Sequence, residues 1–332
     1  METRMDPIDY RLLDDWQRKF PIVSAPFAKL ADTLEVDETE VLKRLSLLCS
    51  AGRISRIGAT CAPNTVSAST LAAISATPNE IERVAAVIGA EPGVNHSYLR
   101  EDTWNLWFVV TGPDREHVNA TLARIEGISG HKVLDLRLVR PFNVDLGFRL
   151  RTQDRTTMPL TKRTVDMDCM QDGDKDILQC LTRGLPMVSR PFAAIAAQMG
   201  RAEQDILGRV SSLVHANVIS RFGIILHHRA LGWNANAMVV WDISSDAIDI
   251  AGPALAAVPG ITLCYERTPV QDVWPYRLYS MIHARDRAEA HEILSRATAL
   301  PCLQSIAHKV LFSTHCFKQR GAMITRQIGD AA

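Results

Sequence analysis

The sequence predicts an α+β chain organised as a covalent pseudo-dimer: two tandem copies of a winged helix-turn-helix followed by a ferredoxin-like βαββαβ unit. Three observations carry that expectation. Residues 9 to 58 match residues 174 to 223 at a constant offset of 165, with 20 of 50 positions identical and no gap. Solenoid repeats recur every roughly 20 to 50 residues, whereas a single long repeat marks two fused copies of a whole subunit. Each copy opens on three short runs with apolar residues at helical spacing, after which strand and helix patterns follow in the order βαββαβ.

In the first copy Ile8, Leu12, Leu13 and Trp16 recur at helical spacing. Phe27 and Leu30 follow Ser24, a residue suited to an N-cap, with Pro26 near the helix start. A third helix opens at Asp37, with Glu40 completing a capping-box pattern. It turns Val41, Leu42, Leu45 and Leu48 inward and ends near Gly52, before the extended run ISRIGAT. The second copy repeats the layout with Ile177, Phe192, Ile206, Leu207, Val210 and Leu213. Strand, helix, strand, strand, helix and strand then follow at about 68–76, 79–90, 94–102, 104–111, 113–125 and 133–141. In the second copy they fall at about 235–243, 246–257, 261–267, 274–284, 286–297 and 303–314. The predicted domains are winged helix-turn-helices at 1–62 and 174–230 and βαββαβ units at 63–150 and 231–332, with a polar linker at 151–173.

Lys+Arg and Asp+Glu each number 37, so the chain has no global field to draw it to nucleic acid or an anionic membrane. No stretch approaches the ~20 apolar residues of a membrane span, and no basic-then-apolar leader opens the sequence. Seven cysteines without a C-x-x-C pair read as reduced thiols, and the expected location is cytoplasmic. Glycine-rich phosphate loops, H-E-x-x-H, a C-x-x-C zinc pair and G-x-S-x-G are missing, which sets aside NAD, ATP and structural zinc.

The element order of each copy resembles the Lrp/AsnC family of transcription regulators. A recognition helix needs a basic face and side chains that reach base edges. Residues 37 to 51 set Asp37, Glu38 and Glu40 against Lys43 and Arg44, and residues 201 to 215 set Glu203 and Asp205 against Arg201 and Arg209. DNA binding is therefore not expected, and the helices read as retained packing.

The chemistry lies in the strands. Period two puts His96, Tyr98 and Arg100 on one face, and Tyr265 and Arg267 on one face, with Leu263 in the place of His96. It aligns Asn105, Trp107 and Thr111 in one strand and Arg277, Tyr279, Met281 and His283 in its counterpart. Solvated arginines beside stacked aromatics are the plainer reading of such a face. Guanidinium, phenol and imidazole recurring in both copies favour instead a large, flat ligand with several carboxylates. His227 and His228 are adjacent, and in an extended chain they point to opposite faces; His228 is the one expected to reach a ligand. His315, Lys318 and Arg320 follow the last expected strand, at a pocket rim or in an exposed tail.

Five segments extend the resemblance: NHSYLREDTWNLWF at 95–108, HHRALGWNANAMVVWD at 227–242, CYER at 264–267, WPYRLYSMIH at 274–283 and LFSTHCFKQRG at 311–321. With them the chain resembles the sirohaem decarboxylases, in the form where two Lrp-like subunits are fused. The resemblance implies non-oxidative loss of CO2 from the C12 and C18 acetates of sirohaem, giving 12,18-didecarboxysirohaem for haem d1 or an alternative haem route. The expected catalytic pair is His96 and His283. Arg100, Arg267 and Arg277 are expected to hold acidic arms, Tyr98, Trp107, Tyr265 and Tyr279 to pack against or orient the ring, and His228 to be a candidate ligand to the substrate iron. No cofactor is expected beyond the iron in the substrate. The internal pseudo-dimer leaves room for a further homodimer. A regulator, or a carrier that binds the tetrapyrrole without turnover, would share the fold.

Overall fold

A computed structural model of the chain describes residues 5–143 and 164–326. The first copy runs through α1 (Pro7–Asp15), α2 (Pro26–Leu34), α3 (Glu38–Ser50), β1 (Ile54–Cys61), β2 (Ala68–Ile74), α4 (Ile81–Ala90), β3 (Val94–Arg100), β4 (Leu106–Gly112), α5 (Arg115–Ser129) and β5 (Val133–Asn143). The second runs through α6 (Asp174–Arg183), α7 (Pro191–Gln198), α8 (Glu203–His215), β6 (Ile219–Leu226), β7 (Ala235–Trp241), α9 (Ile248–Ala256), β8 (Ile261–Arg267), β9 (Leu278–Ala284), α10 (Arg287–Thr298) and β10 (His308–Gln319). Part of the expected linker, 151–163, lies outside the described residues.

The chain divides into two compact units that cut across the repeat, one holding both winged helix-turn-helices and the other both βαββαβ halves. In the first unit β1 and β6 pair antiparallel, with Gly58 opposite Gly223. These glycines are equivalent in the repeat, and each presses on the first helical segment of the other copy. A Cβ on Gly58 would collide with the Leu181 carbonyl, and one on Gly223 with the main chain of Trp16 and Gln17. The close approach explains why ISRIG and ISRFG both end on glycine. Arg44 on α3 is engaged by Asp9 at 3.0 Å and Glu40 at 2.7 Å, while its counterpart Arg209 on α8 meets the fully buried Asp174 at 2.7 Å. Two of the few cations on these helices are thus turned to internal partners.

The expected caps do not form. Ala25, not Ser24, is the N-cap of α2, and Ser24 donates to Glu203 Oε1 at 2.9 Å. Asp37 is the N-cap of α3 but makes no side-chain cap bond, and Glu40, which would complete the box, pairs with Arg44 instead.

In the second unit the strands close into a barrel in the order β10-β3-β4-β2-β5-β8-β9-β7. Two strands cross between halves: β5 pairs with β2 and then β8, and β10 pairs with β7 and then β3. Each half packs its own helices on the outside. Ile74, Val84, Ile88, Phe108 and Ile125 bury one face, and Trp241, Leu255, Ile261, Ile282 and Ile293 the other. A third core fills the space between the two sheets, with Trp107, Leu136, Met238, Trp274, Tyr279 and Leu311. Along each strand side chains alternate between the helical layer and this inner layer.

Three element expectations shift. The last strand ends at Gln319, so the residues read as a tail form a ladder with β3. β9 starts at Leu278 because Trp274 closes a bridge to Val270 ahead of it. His228 opens a short 3-10 helix, His228–Leu231, so the opposite-face argument for His227 and His228 does not hold there.

Candidate active site

A bulge between Val94 and His96 in β3, matched by one between Ile261 and Leu263 in β8, sets which side chains turn inward. Beyond each bulge the alternation gives His96, Tyr98 and Arg100 in the first half and Leu263, Tyr265 and Arg267 in the second. His96, Tyr98 and Tyr265 are half-buried, whereas Arg100 is 6% and Arg267 9% exposed.

The two arginines form a pseudo-symmetric pair. Arg100 donates from Nη1 to the Leu311 carbonyl on β10 at 3.0 Å, and Arg267 donates from Nη1 to the Leu136 carbonyl on β5 at 2.8 Å. Each guanidinium thus reaches a strand of the opposite copy. Each also lies over the tyrosine of its own motif, Arg100 5.6 Å from the Tyr98 ring and Arg267 4.9 Å from the Tyr265 ring. Burial raises the Tyr265 phenol above its ordinary value, and the charges of Arg267 and Arg100 both pull it back. Among the described residues Arg267 makes no ion pair, and its Nε is buried without a hydrogen-bond partner. Desolvation accordingly lowers its pKa. A buried cation without a carboxylate costs several kcal/mol unless an anion is supplied.

His96 and Tyr98 stack with ring centroids 6.3 Å apart, and Tyr98 Oη lies 3.5 Å from His96 Nδ1. His283 is held elsewhere. It is 6% exposed, with Nδ1 2.7 Å from Thr262 Oγ1 and Nε2 3.1 Å from Asn236 Nδ2. The ladders put the imidazoles at different levels of the barrel. His96 is opposite Gln319, whereas Ala237, next to Asn236, is opposite Phe312; between these levels β10 bulges twice, and along β3 His96 stands four residues, roughly 13 Å, from Arg100. Arg100, opposite Ser313, shares the level of His283 instead. The pair expected to work together is arranged as two stations.

Trp107 and Tyr279, expected against a ligand ring, are inner-core residues, 1% and 0% exposed. Trp107 donates from Nε1 to the Trp104 carbonyl at 2.5 Å, and Trp274 donates from Nε1 to Tyr279 Oη at 2.8 Å. Large aromatic bodies are most stabilised in a water-free layer once their polar atoms are satisfied, which is why they fill it. Tyr279 still backs Arg267, whose guanidinium lies 5.9 Å from its ring. Arg277 precedes β9 and is half-buried; its amide donates to Trp241 and its carbonyl accepts from Arg267. Asn105, aligned by period with Trp107, spends its side chain on both main-chain groups of Ala76. His228 belongs to the other unit.

Sequence reasoning missed Thr262 and Asn236. Their signal lies in the pairing of β7 and β9, which sets Asn236 beside His283, and not in any contiguous motif. It also left Lys318 at a pocket rim or in an exposed tail. Lys318 donates to the Gly89 and Glu91 carbonyls at 2.7 and 2.8 Å, closing the C-terminal end of α4.

Among the described residues no helix is long and apolar enough to cross a membrane, and no group of three His, Cys, Asp or Glu side chains converges as a metal site. Residues 66–142 and 230–318 match the AsnC-like ligand binding domain, and residues 9–54 and 174–219 match the siroheme decarboxylase NirDL-like HTH domain. The siroheme decarboxylase NirDL subunit of Paracoccus pantotrophus is 52% identical over 96% of this chain and 98% of its own. The siroheme decarboxylase of Hydrogenobacter thermophilus is 30% identical over 93% of this chain and 92% of its own. A crystal structure of the siroheme decarboxylase NirDL with an iron-uroporphyrin III analogue superposes with a TM-score of 0.65 at 25% identity, covering 95% of this chain and 92% of that one. Similarity of that extent, running through both copies and both units, makes this chain a member of the sirohaem decarboxylase family.

Proposed function

We propose that this chain decarboxylates sirohaem, converting the C12 and C18 acetates to methyl groups to give 12,18-didecarboxysirohaem for haem d1 or an alternative haem route. The observation that carries the site assignment is the Arg100–Arg267 pair: two buried guanidiniums, each over the tyrosine of its own motif and bonded to a strand of the opposite copy, one of them with no ion pair among the described residues. Such a pair suits the carboxylates of one ligand. Loss of CO2 leaves an electron pair on the side-chain carbon, spread into the macrocycle, and one proton then completes the methyl group. Nothing is oxidised overall.

The chain's own groups have three tasks in this reading. Arg100 and Arg267 fix the acidic arms, with Arg277 beside them, while Tyr98 and Tyr265 offer half-buried faces to the ring. The dry inner layer behind them, with Trp107 and Tyr279, keeps water from the carboxylate that must lose its charge. The imidazoles supply protons, His96 at one station and His283 at the other, since histidine titrates near neutrality. His228 is the candidate ligand to the substrate iron. The reading includes a cytoplasmic location, no resident cofactor and no DNA partner; the internal pairing of Arg44 and Arg209 supports the last.

Anaerobic incubation with sirohaem followed by mass spectrometry tests the proposal. Loss of two CO2 units is expected; a shifted Soret band with unchanged substrate mass would make the protein a carrier, and salt-dependent gel shifts without turnover would make it a regulator. For His228, the Soret band of bound sirohaem should move in His228→Ala.

A further inference from the structure

We infer that Thr262 is a positioning residue that selects the working nitrogen of His283: it holds the proton on Nδ1 and leaves Nε2, facing Asn236, as the nitrogen that exchanges. The inference rests on the proton-supplying reading of His283 for its use, but not for its geometry.

The geometry follows from counting hydrogens. The Thr262 hydroxyl has one hydrogen and lies 3.1 Å from the Met281 carbonyl and 2.7 Å from His283 Nδ1. A carbonyl can only accept, so for both contacts to be hydrogen bonds the hydroxyl donates to Met281, and Nδ1–H donates to Thr262 Oγ1. Nε2 of the neutral ring is then an acceptor, and the Asn236 amide donates to it at 3.1 Å. One assignment satisfies all three bonds.

Asn236 provides the second observation. Its Oδ1 is buried without a hydrogen-bond partner. An orphan acceptor beside Nε2 is a cost in this state and an asset in the other. When Nε2 carries a proton, a half-turn of the amide brings Oδ1 into the place of Nδ2 and lets it accept Nε2–H. The ring stays fixed by Thr262 in both states. The equivalent positions of the first half are Asn95, Thr111 and Ser69, which hold no imidazole.

The full chain labelled with 15N-histidine, with His283 assigned by its loss in His283→Gln, tests this by two-bond proton–nitrogen correlation. The wild type should show His283 protonated at Nδ1. Thr262→Val, of nearly equal shape, should move it to the Nε2–H form and lower kcat for CO2 release roughly 10- to 100-fold with KM within about twofold. Thr262→Ser should restore both readouts. Asn236→Leu should keep the Nδ1–H form, which tests the assignment even if Thr262→Val fails to fold. An Nε2–H signature in the wild type, or one unchanged by Thr262→Val, overturns the inference. A shifted tautomer with kcat within about twofold upholds it and removes His283 from the chemistry.

Discussion

The bulge between Val94 and His96 in the first half presents an imidazole to the inner layer, and the same bulge between Ile261 and Leu263 in the second presents a leucine. One row away the chemistry is reversed: His283 pairs with Asn236 in the second half, and its equivalent Thr111 pairs with Ser69 in the first. Between these positions both halves keep Tyr-x-Arg, with each arginine bonded to a strand of the other copy. In the proposed reading, duplication has kept the groups that hold an anion and separated the groups that move a proton: the equal pair would define holding, and the unequal pair chemistry.

The largest effect should come from breaking the equal pair. Arg267→Ala or Arg100→Ala should each weaken sirohaem binding by about 2–5 kcal/mol, the usual cost of truncating one partner of a buried charge pair. Soret titration measures it. Arg267→Lys should not rescue, because a point charge cannot replace the planar fork that donates to the Leu136 carbonyl and, in the proposed reading, to a carboxylate of the ligand. Affinities that differ by more than about tenfold between the two alanine variants would show that the halves do not share the holding.

The unequal pair gives the next effect. His96→Leu copies the second half into the first without moving the strand, and should lower CO2 release by roughly 10²- to 10⁴-fold with binding retained. Single-turnover assays read the chemistry apart from release. Unchanged turnover in His96→Leu would move the proton donor away from that station.

These comparisons also show what the sequence could convey. The gapless repeat exposed the duplication, and ISRIG and ISRFG carry glycines because each is pressed on the other copy. Period two found Tyr98, Arg100, Tyr265 and Arg267 because strand geometry fixes which side chains share a face. It could not show that Trp107 and Tyr279 lie in the inner core, since alternation cannot tell a face that meets a ligand from one that meets the opposite sheet. The crossing of β10 to β3 was hidden too: His96 and Gln319 are far apart in the chain, and no local pattern records such a pairing. The Thr262–His283–Asn236 cluster draws on three strands and is legible only once their register is known.

Thr111 sharpens the comparison at the level of stability. Its hydroxyl accepts from the buried Met323 amide at 2.8 Å, while the Arg320 amide donates to the Asn95 carbonyl at 2.7 Å. The C-terminal segment therefore fastens over the first-half counterpart of the His283 cluster. Thr111→Val leaves that amide without an acceptor, at about 1–3 kcal/mol. The thermal midpoint should fall by about 2–4 °C for each kcal/mol, with turnover kept. An unchanged midpoint would remove the fastening.

The smallest effect separates the halves by acid. Glu80 is the N-cap of α4, and Ala247 takes the corresponding place before α9. The Thr77 hydroxyl above all, then Arg83 and His131, hold the Glu80 carboxyl down at about 2, against an ordinary 4.5. A carboxylate depressed on folding contributes stability that is fully present above its unfolded value and is lost as the pH falls through its folded one. Glu80→Gln should therefore be less stable than the wild type at pH 7. The gap should start to close below about pH 4.5 and vanish near pH 2, whereas substitutions at Ala247 should show no such window. Thermal melts across that range read the difference, and a gap of constant size down to pH 2.5 would assign Glu80 a packing role that its charge does not serve.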